Sequence, residues 1–284
     1  AKGTSIIFIT HKLREVKAVA DQITIIRLGK VVGTATPSTT QEELANLMVG
    51  RPVDLTPNRS ISTAGANVLS VTDLNIHDFA GRAIIKNLNL DIKAGEILAI
   101  AGVQGNGQTE LVRAIMNLGE NITGSVKLEG VEILGKSVNQ TLNSGIAYIP
   151  ESREVDGLIG SFTIAENLIL DTHDTKPFAS LGQLSATDIA SNATALKKEF
   201  DIRAQSIFDT ANSLSGGNKQ KVVLARELSR TVKLVIAAQP TRGLDVGSIE
   251  FVHERLLAER NAGRAVLLIS TELDEVTALA DRIA

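Results

Sequence analysis

Residues 102–109 read GVQGNGQT. The spacing of Gly102, Gly107 and Thr109 is that of the phosphate-binding pattern G-x-x-x-x-G-K-[ST], except that Gln108 stands where the lysine belongs. In such a loop the glycines let backbone N–H groups close around phosphates, the lysine reaches the β- and γ-phosphates, and the hydroxyl holds a divalent cation. Working outward, EILAIA at 96–101 is an apolar run of strand length. TELVRAIMN from Thr109 has helical spacing, with Leu111, Ile115 and Leu118 on one face. Strand, glycine turn and helix in that order aim the positive end of a helix dipole at the loop. A plain turn also satisfies these residues, so a second signal is needed.

That signal lies more than a hundred residues downstream. LSGGNKQK at 214–221 precedes a helical stretch, VVLARELSR, and an apolar run, LVIAA, that ends in QPTRGLD. Ser215 followed by Gly216 and Gly217 at a helix start is a second anion-binding N-terminus in form, and equally the form of an ordinary N-cap.

Taken together the segments resemble the nucleotide-binding domains of ABC transporters over nearly all of residues 66–284. GVQGNGQT matches Walker A, LSGGNKQK the signature, LVIAAQ Walker B, PTRGLD with Asp245 the D-loop, and AVLLIST the switch strand. The resemblance implies an α/β P-loop NTPase fold with a parallel core sheet, an antiparallel β layer and an inserted helical subdomain at about 159–229. ESREVDGL at 151–158, AAQPTRGLDVG at 237–247 and NKQK after the signature are most similar to the second half of tandem sugar- and nucleoside-import ATPases. The AAQ leans toward nucleosides.

An internal repeat points the same way. GTSIIFITHKLREVKAVADQIT at 3–24 aligns without gaps on GRAVLLISTELDEVTALADRIA at 263–284. The expected organisation is the end of a first ATPase domain at 1–50, a linker at 51–67 with two prolines, and a second domain at 68–284 that stops before its last two strands. Residues 1–50 are expected to pack loosely or to dock as an appendage. Their expected elements are a strand (SIIFIT), a helix (LREVKAVAD), strands ITIIR and VVGTA, and a helix (QEELANLMV) started by Thr40.

What the resemblance implies for site residues is carried over by position. ATP and Mg²⁺ are the expected cofactors. Gly102, Gln104, Gly105, Asn106, Gly107, Gln108, Thr109 and Glu110 would bind from the loop, with Glu151, Ser215, Gly216, Gly217, Asn218, Gln220 and Asp245. Several catalytic positions depart from the pattern: the Mg²⁺-holding Asp and the water-polarising Glu are Ala238 and Gln239, the switch histidine is Thr271, and the loop glutamine is Glu151. The first repeat keeps its switch histidine as His11. Losing one lysine, one Asp and one Glu while gaining Glu151 leaves the formal charge of the site unchanged. Thr109 and Glu151 are then the candidate Mg²⁺ ligands. Hydrolysis is expected to be lost, since removing such groups costs on the order of 10² to 10⁵ in rate. Ser215 and its glycines would instead complete the active site of the first domain.

Composition narrows the class. The chain has 284 residues, 43% hydrophobic, with net charge −3, one Tyr, no Trp and no Cys, which removes thiolate metal sites and leaves no basic footprint for nucleic acid. No apolar run reaches the roughly 18 residues of a membrane span, and the first residues lack the pattern of a signal peptide. The resemblance implies a place at the cytoplasmic face of the membrane, reached through integral-membrane permease subunits and, indirectly, an extracytoplasmic substrate-binding protein. A soluble ABC-type ATPase acting on ribosomes or DNA and a non-enzymatic nucleotide sensor are the rival readings. Phe79 is read as a packing residue before an adenine-stacking one, Arg242 and Asp245 as contacts to the opposite half, and His77, His173 and His253 as surface or capping residues.

Overall fold

The computed structural model describes residues 3–54 and 63–284; part of the expected linker lies outside them. The first elements are α1 (Leu13–Val19), β1 (Ile23–Arg27), β2 (Lys30–Ala35) and α2 (Gln41–Val49). Leu28 and Gly29 take positive φ, 50° and 75°, to turn β1 into β2. The Thr40 hydroxyl and the Glu43 carboxylate form a capping box at the start of α2. Ile23, Ile25 and Leu44 make a small core, and Ala45, Val53 and Val246 join α2 to the rest of the molecule. Arg51 pairs with Glu250 at 2.6 Å, and Lys12 and Arg14 pair with Glu272 and Asp274.

One expected strand does not form. Residues 5–10 are extended but outside any sheet, with Ile6, Ile7 and Ile9 84%, 89% and 91% exposed. Their repeat copy at 265–270 lies between two strands, whereas no strand pairs with 5–10 among the described residues. Pairing, not intrinsic preference, makes the difference.

Next come β3 (Asn67–His77), β4 (Ala83–Lys93), β5 (Ile97–Ala101), α3 (Gln108–Ile115), β6 (Ile122–Leu128), β7 (Val131–Glu132), α4 (Val138–Asn143) and β8 (Ile146–Ile149). After these lie α5 (Ile164–Asn167), a small hairpin of β9 (Ala179–Ser180) and β10 (Gln183–Leu184), α6 (Ala186–Glu199) and α7 (Gly216–Leu228). The chain closes with β11 (Leu234–Ala238), α8 (Val246–Asn261), β12 (Ala265–Ser270), α9 (Leu273–Leu279) and β13 (Arg282–Ile283).

The core sheet has the order β13-β5-β12-β11-β8, and each of its pairings is parallel. Alternation splits its side chains between two faces. Val235, Ala237, Val266 and Leu268 join the α7 side, while Leu234, Ile236, Leu267 and Ile269 join the α3 side. Both faces are covered, so β11 and β12 are buried throughout, as their unbroken apolar runs require. An antiparallel layer, β4-β3-β6-β7, packs its apolar face on the α3 side. The helices from α5 to α7 form the third unit and sit on the other side. This is the α/β P-loop NTPase architecture expected from the sequence.

Asn167 fixes the segment that enters those helices. Fully buried, it accepts from Ile159 N–H at 2.9 Å and donates to the carbonyls of Ile159, Phe162 and Thr163.

Candidate nucleotide site

The carboxyl ends of four parallel strands deliver the candidate residues. Gly102 follows β5, Glu151 lies two residues after β8, Gln239 follows β11 and Thr271 follows β12. In an open α/β sheet this edge is where ligands bind. The cleft there is lined by Gly102, Gln104, Gln108, Thr109, Val112, Tyr148, Glu151, Ala238, Gln239, Ile269 and Thr271.

The loop is shaped for phosphate. Gly107 caps α3 at φ 99°, and a Cβ there would also press on Ile85 at 3.2 Å; a side chain is therefore strained twice over. The Gln108 side chain folds back into the loop. Its Nε2 donates to the Val103 carbonyl at 3.2 Å and its Oε1 accepts from Asn106 N–H at 3.0 Å. The amide thus occupies part of the cradle with groups that neutralise each other, where a lysine would leave positive charge.

The other departures are also paired among themselves. Gln239 Oε1 accepts from Thr271 N–H at 3.2 Å and from Thr271 Oγ1 at 3.1 Å. Gln239 holds φ 48°, a strained setting for a residue with a side chain, and its N–H donates to the Ile269 carbonyl at 2.7 Å. Glu151 forms an ion pair with Arg242 and accepts from Gln104 Nε2 at 2.8 Å. Loop amides and the α3 N-terminus fit a nucleotide's phosphates. The donor set for Mg²⁺ is thinner: the Thr109 hydroxyl and the Glu151 carboxylate, whose charge Arg242 already balances. No cluster of three or more metal-ligating side chains occurs among the described residues.

Ser215 caps α7 and its Oγ accepts from the Asn218 side-chain amide at 3.0 Å. This second N-terminus is not part of the cleft lining. Arg153 backs it: Nη1 donates to the Arg242 carbonyl at 2.8 Å, and a Cβ on Gly216 would lie 2.9 Å from its Nη2. Gly217 is pressed against Ser248 and Asp245, where a Cβ would find no room.

Several sequence readings change here. Gln220 is 2% exposed inside α7, so burial removes it from any ligand surface. Within this chain Arg242 pairs with Glu151 and Asp245 caps α8 through Ser248 at 3.0 Å, which leaves their contacts to an opposite half as an expectation. Phe79 is 91% exposed in the turn before β4, which overturns its reading as a packing residue. His253 is buried against Glu275 at 3.2 Å, not at the surface. His11 is half-buried ahead of α1 and is not among the residues that line the cleft. Asn106, Gly105 and Glu110 remain on the loop and the first turn of α3.

Tyr148 is a lining residue the sequence reading missed. Burial, reinforced by Asp156, pushes its hydroxyl up to about 12, so it stays a neutral donor. As the one tyrosine of the chain, three residues before Glu151, it was the available signal.

A glycine loop at the end of β5, a second helix N-terminus beyond β8 and a β-layer beside α3 define the nucleotide-binding domain of an ABC-type ATPase. The chain belongs to the ABC transporter family, whose profile matches residues 85–242. It is 46% identical over its whole length to the nucleoside import ATP-binding protein NupA of Lactococcus lactis and 44% identical to the guanosine import ATP-binding protein NupO of Bacillus subtilis. It is 35% identical over 99% of its length to the ribose import ATP-binding protein RbsA 1 of Streptomyces avermitilis. The chain spans 56%, 56% and 52% of those proteins. A nucleotide-free ATP-binding cassette from an ABC transporter shares the fold, with TM-score 0.65 at 19% identity over 77% of this chain and 87% of that one. The ADP- and phosphate-bound dimeric cassette MJ0796 does so with TM-score 0.64 at 23% identity, over 76% and 92%.

Proposed function

We propose that the chain is the second half of the tandem ATP-binding subunit of an importer for nucleosides, with simple sugars as the alternative substrate class. The names of the relatives NupA and NupO support the substrate class. Residues 1–50 belong in this reading to the first ATPase domain, 51–67 to the linker and 68–284 to the second domain. The protein works at the cytoplasmic face of the membrane beside permease subunits, with an extracytoplasmic binding protein delivering substrate. No helix of the described residues is long and apolar enough to cross a membrane. A groove lined by Met116, Leu118, Val155, Ile159 and Leu170, with Asp156 and Asp171, offers the permease an apolar seat.

The chemistry is divided unequally between the halves. ATP would lie on loop 102–109 and α3, with Phe79, exposed in the turn before β4, whose Ile85 lies against Gly107, as a face for adenine. ATP supplies the phosphoanhydride bond and Mg²⁺ the charge that steadies it. Thr109 and Glu151 are the residues able to meet Mg²⁺ here. Gln239 and Thr271 hold each other in place of a base and a switch histidine, so water beside them is not deprotonated. That hydrogen-bonded pair carries the reading of a non-hydrolysing site. Ser215, Gly216 and Gly217 present N–H groups and a hydroxyl to the nucleotide of the first half, where His11 serves as switch.

The test is turnover of the full-length protein with its permease. Ser215→Arg is expected to abolish coupled hydrolysis, while Gln108→Ala leaves most of it. Equal losses would refute the division of labour.

A further inference from the structure

The internal repeat is a repeat of conformation as well as of sequence. Lys12 caps α1 at φ −83°, ψ 101°, and Glu272, 260 positions on, caps α9 at φ −87°, ψ 103°. Lys12 N–H donates to Thr10 Oγ1 at 3.1 Å; Glu272 N–H donates to Ser270 Oγ at 3.0 Å. Both helices run seven residues and end in an extended alanine, Ala20 and Ala280.

The two copies also touch, and at equivalent positions. Lys12 Nζ lies 3.1 Å from Glu272 Oε1, and Arg14 Nη1 lies 2.8 Å from Asp274 Oδ1. Contact between equivalent residues is what a twofold axis produces, and these two pairs fit a local twofold between the starts of α1 and α9, with His11 and Thr271 one position before the first pair.

The charges break that symmetry in one direction. The first copy is basic at both positions and the second is acidic at both. If two second-type copies met about this axis, Glu272 would face Glu272 and Asp274 would face Asp274. Two first-type copies would oppose Lys12 to Lys12 and Arg14 to Arg14. Unlike copies attract and like copies repel.

We propose that Lys12, Arg14, Glu272 and Asp274 form a pairing code by which the two ATPase copies recognise each other and reject self-pairing. It deepens, and rests on, the tandem-ATPase reading above. Both pairs are about half exposed or more, at 48% and 53%, and 72% and 63%, so each alone contributes little. Their discrimination comes from the pairs changing sign together: self-pairing replaces two attractions by two repulsions. Added salt weakens both.

Two experiments test the code. The chain has no cysteine, so Lys12→Cys with Glu272→Cys gives a short bis-maleimide two thiols and nothing else, while Arg14–Asp274 remains. An intrachain link is expected; a covalent dimer, or no link, overturns the proposal. In the full-length protein with its permease, K12E/R14D and E272K/D274R should each lower ATP turnover about three- to tenfold at low salt. The fourfold variant should recover most of the loss. A fourfold variant no better than either double variant overturns the code. A wild type without turnover would refute the ATPase reading instead, and the crosslink then still decides the pairing.

Discussion

Gln239 and Thr271, read from the sequence as standing where a catalytic base and a switch histidine are expected, are joined by two hydrogen bonds to one oxygen, Gln239 Oε1. The pairing ties the end of β11 to the end of β12 and fixes the strained backbone of Gln239. Gln239→Ala removes the acceptor from both donors of Thr271. A loss of about 1 to 2 kcal/mol of stability is expected in urea unfolding, with no fall in the turnover of the full-length protein. A large fall would give Gln239 a part in the chemistry.

Gln108→Lys puts a cation back into the cradle. A lysine's charge-assisted contact to phosphate is worth about 1.5 to 3 kcal/mol, so nucleotide should bind roughly ten- to a hundredfold more tightly, read by fluorescent-nucleotide titration of the chain. Hydrolysis should not return, because Gln239 and Thr271 are untouched.

Glu151→Gln separates two roles of one carboxylate. The ion pair with Arg242 is partly exposed and its loss should cost no more than about 1 kcal/mol in thermal unfolding. If Glu151 meets Mg²⁺, the variant loses whatever dependence on Mg²⁺ its nucleotide binding has. Binding that is as Mg²⁺-dependent as in the unaltered chain removes Glu151 from the metal's neighbourhood.

Acid stability should report the capping boxes. The Thr163 backbone N–H, with its hydroxyl, holds the Glu166 carboxyl below its ordinary value of 4.5, and Thr40 does the same for Glu43. A depressed folded pKa means the unfolded chain binds protons first, so this stability is complete above about 4.5 and is lost as pH falls through the folded value. Glu166→Gln should flatten the fall of urea midpoint below pH 4.5 and leave its neutral-pH slope unchanged.

Asn167→Ala should be the costliest of these changes. It leaves the Ile159 N–H without its acceptor in a buried setting, while the carbonyls of Ile159, Phe162 and Thr163 keep the backbone donors Phe162, Ala211 and Asn167, a loss of about 1 to 3 kcal/mol. A midpoint shift below 1 kcal/mol would mean water replaces the amide.

The parallel core was legible through the family resemblance, with which unbroken apolar runs such as LVIAA and AVLLIS agree as strands buried on both faces. The loop was legible through glycine spacing, since Gly107 needs a backbone few residues adopt. Partners across the sheet were not. The Glu151–Arg242 pair joins residues far apart in sequence, and nothing local to either names the other. Gln220 followed the signature closely enough to be taken for a ligand, but helical phase turned it inward. SIIFIT failed as a strand for the opposite reason, since its local pattern is right and its neighbours are missing among the described residues.

That segment carries a practical consequence. Residues 5–10 are six uncharged residues, four of them large and apolar, without proline or glycine and open to solvent. Such a stretch is the raw material of intermolecular β stacking. Solubility is therefore a gauge of coverage: preparations in which 5–10 lies bare should cloud or form thioflavin-positive fibres as concentration rises, and those in which it is sheathed should stay clear.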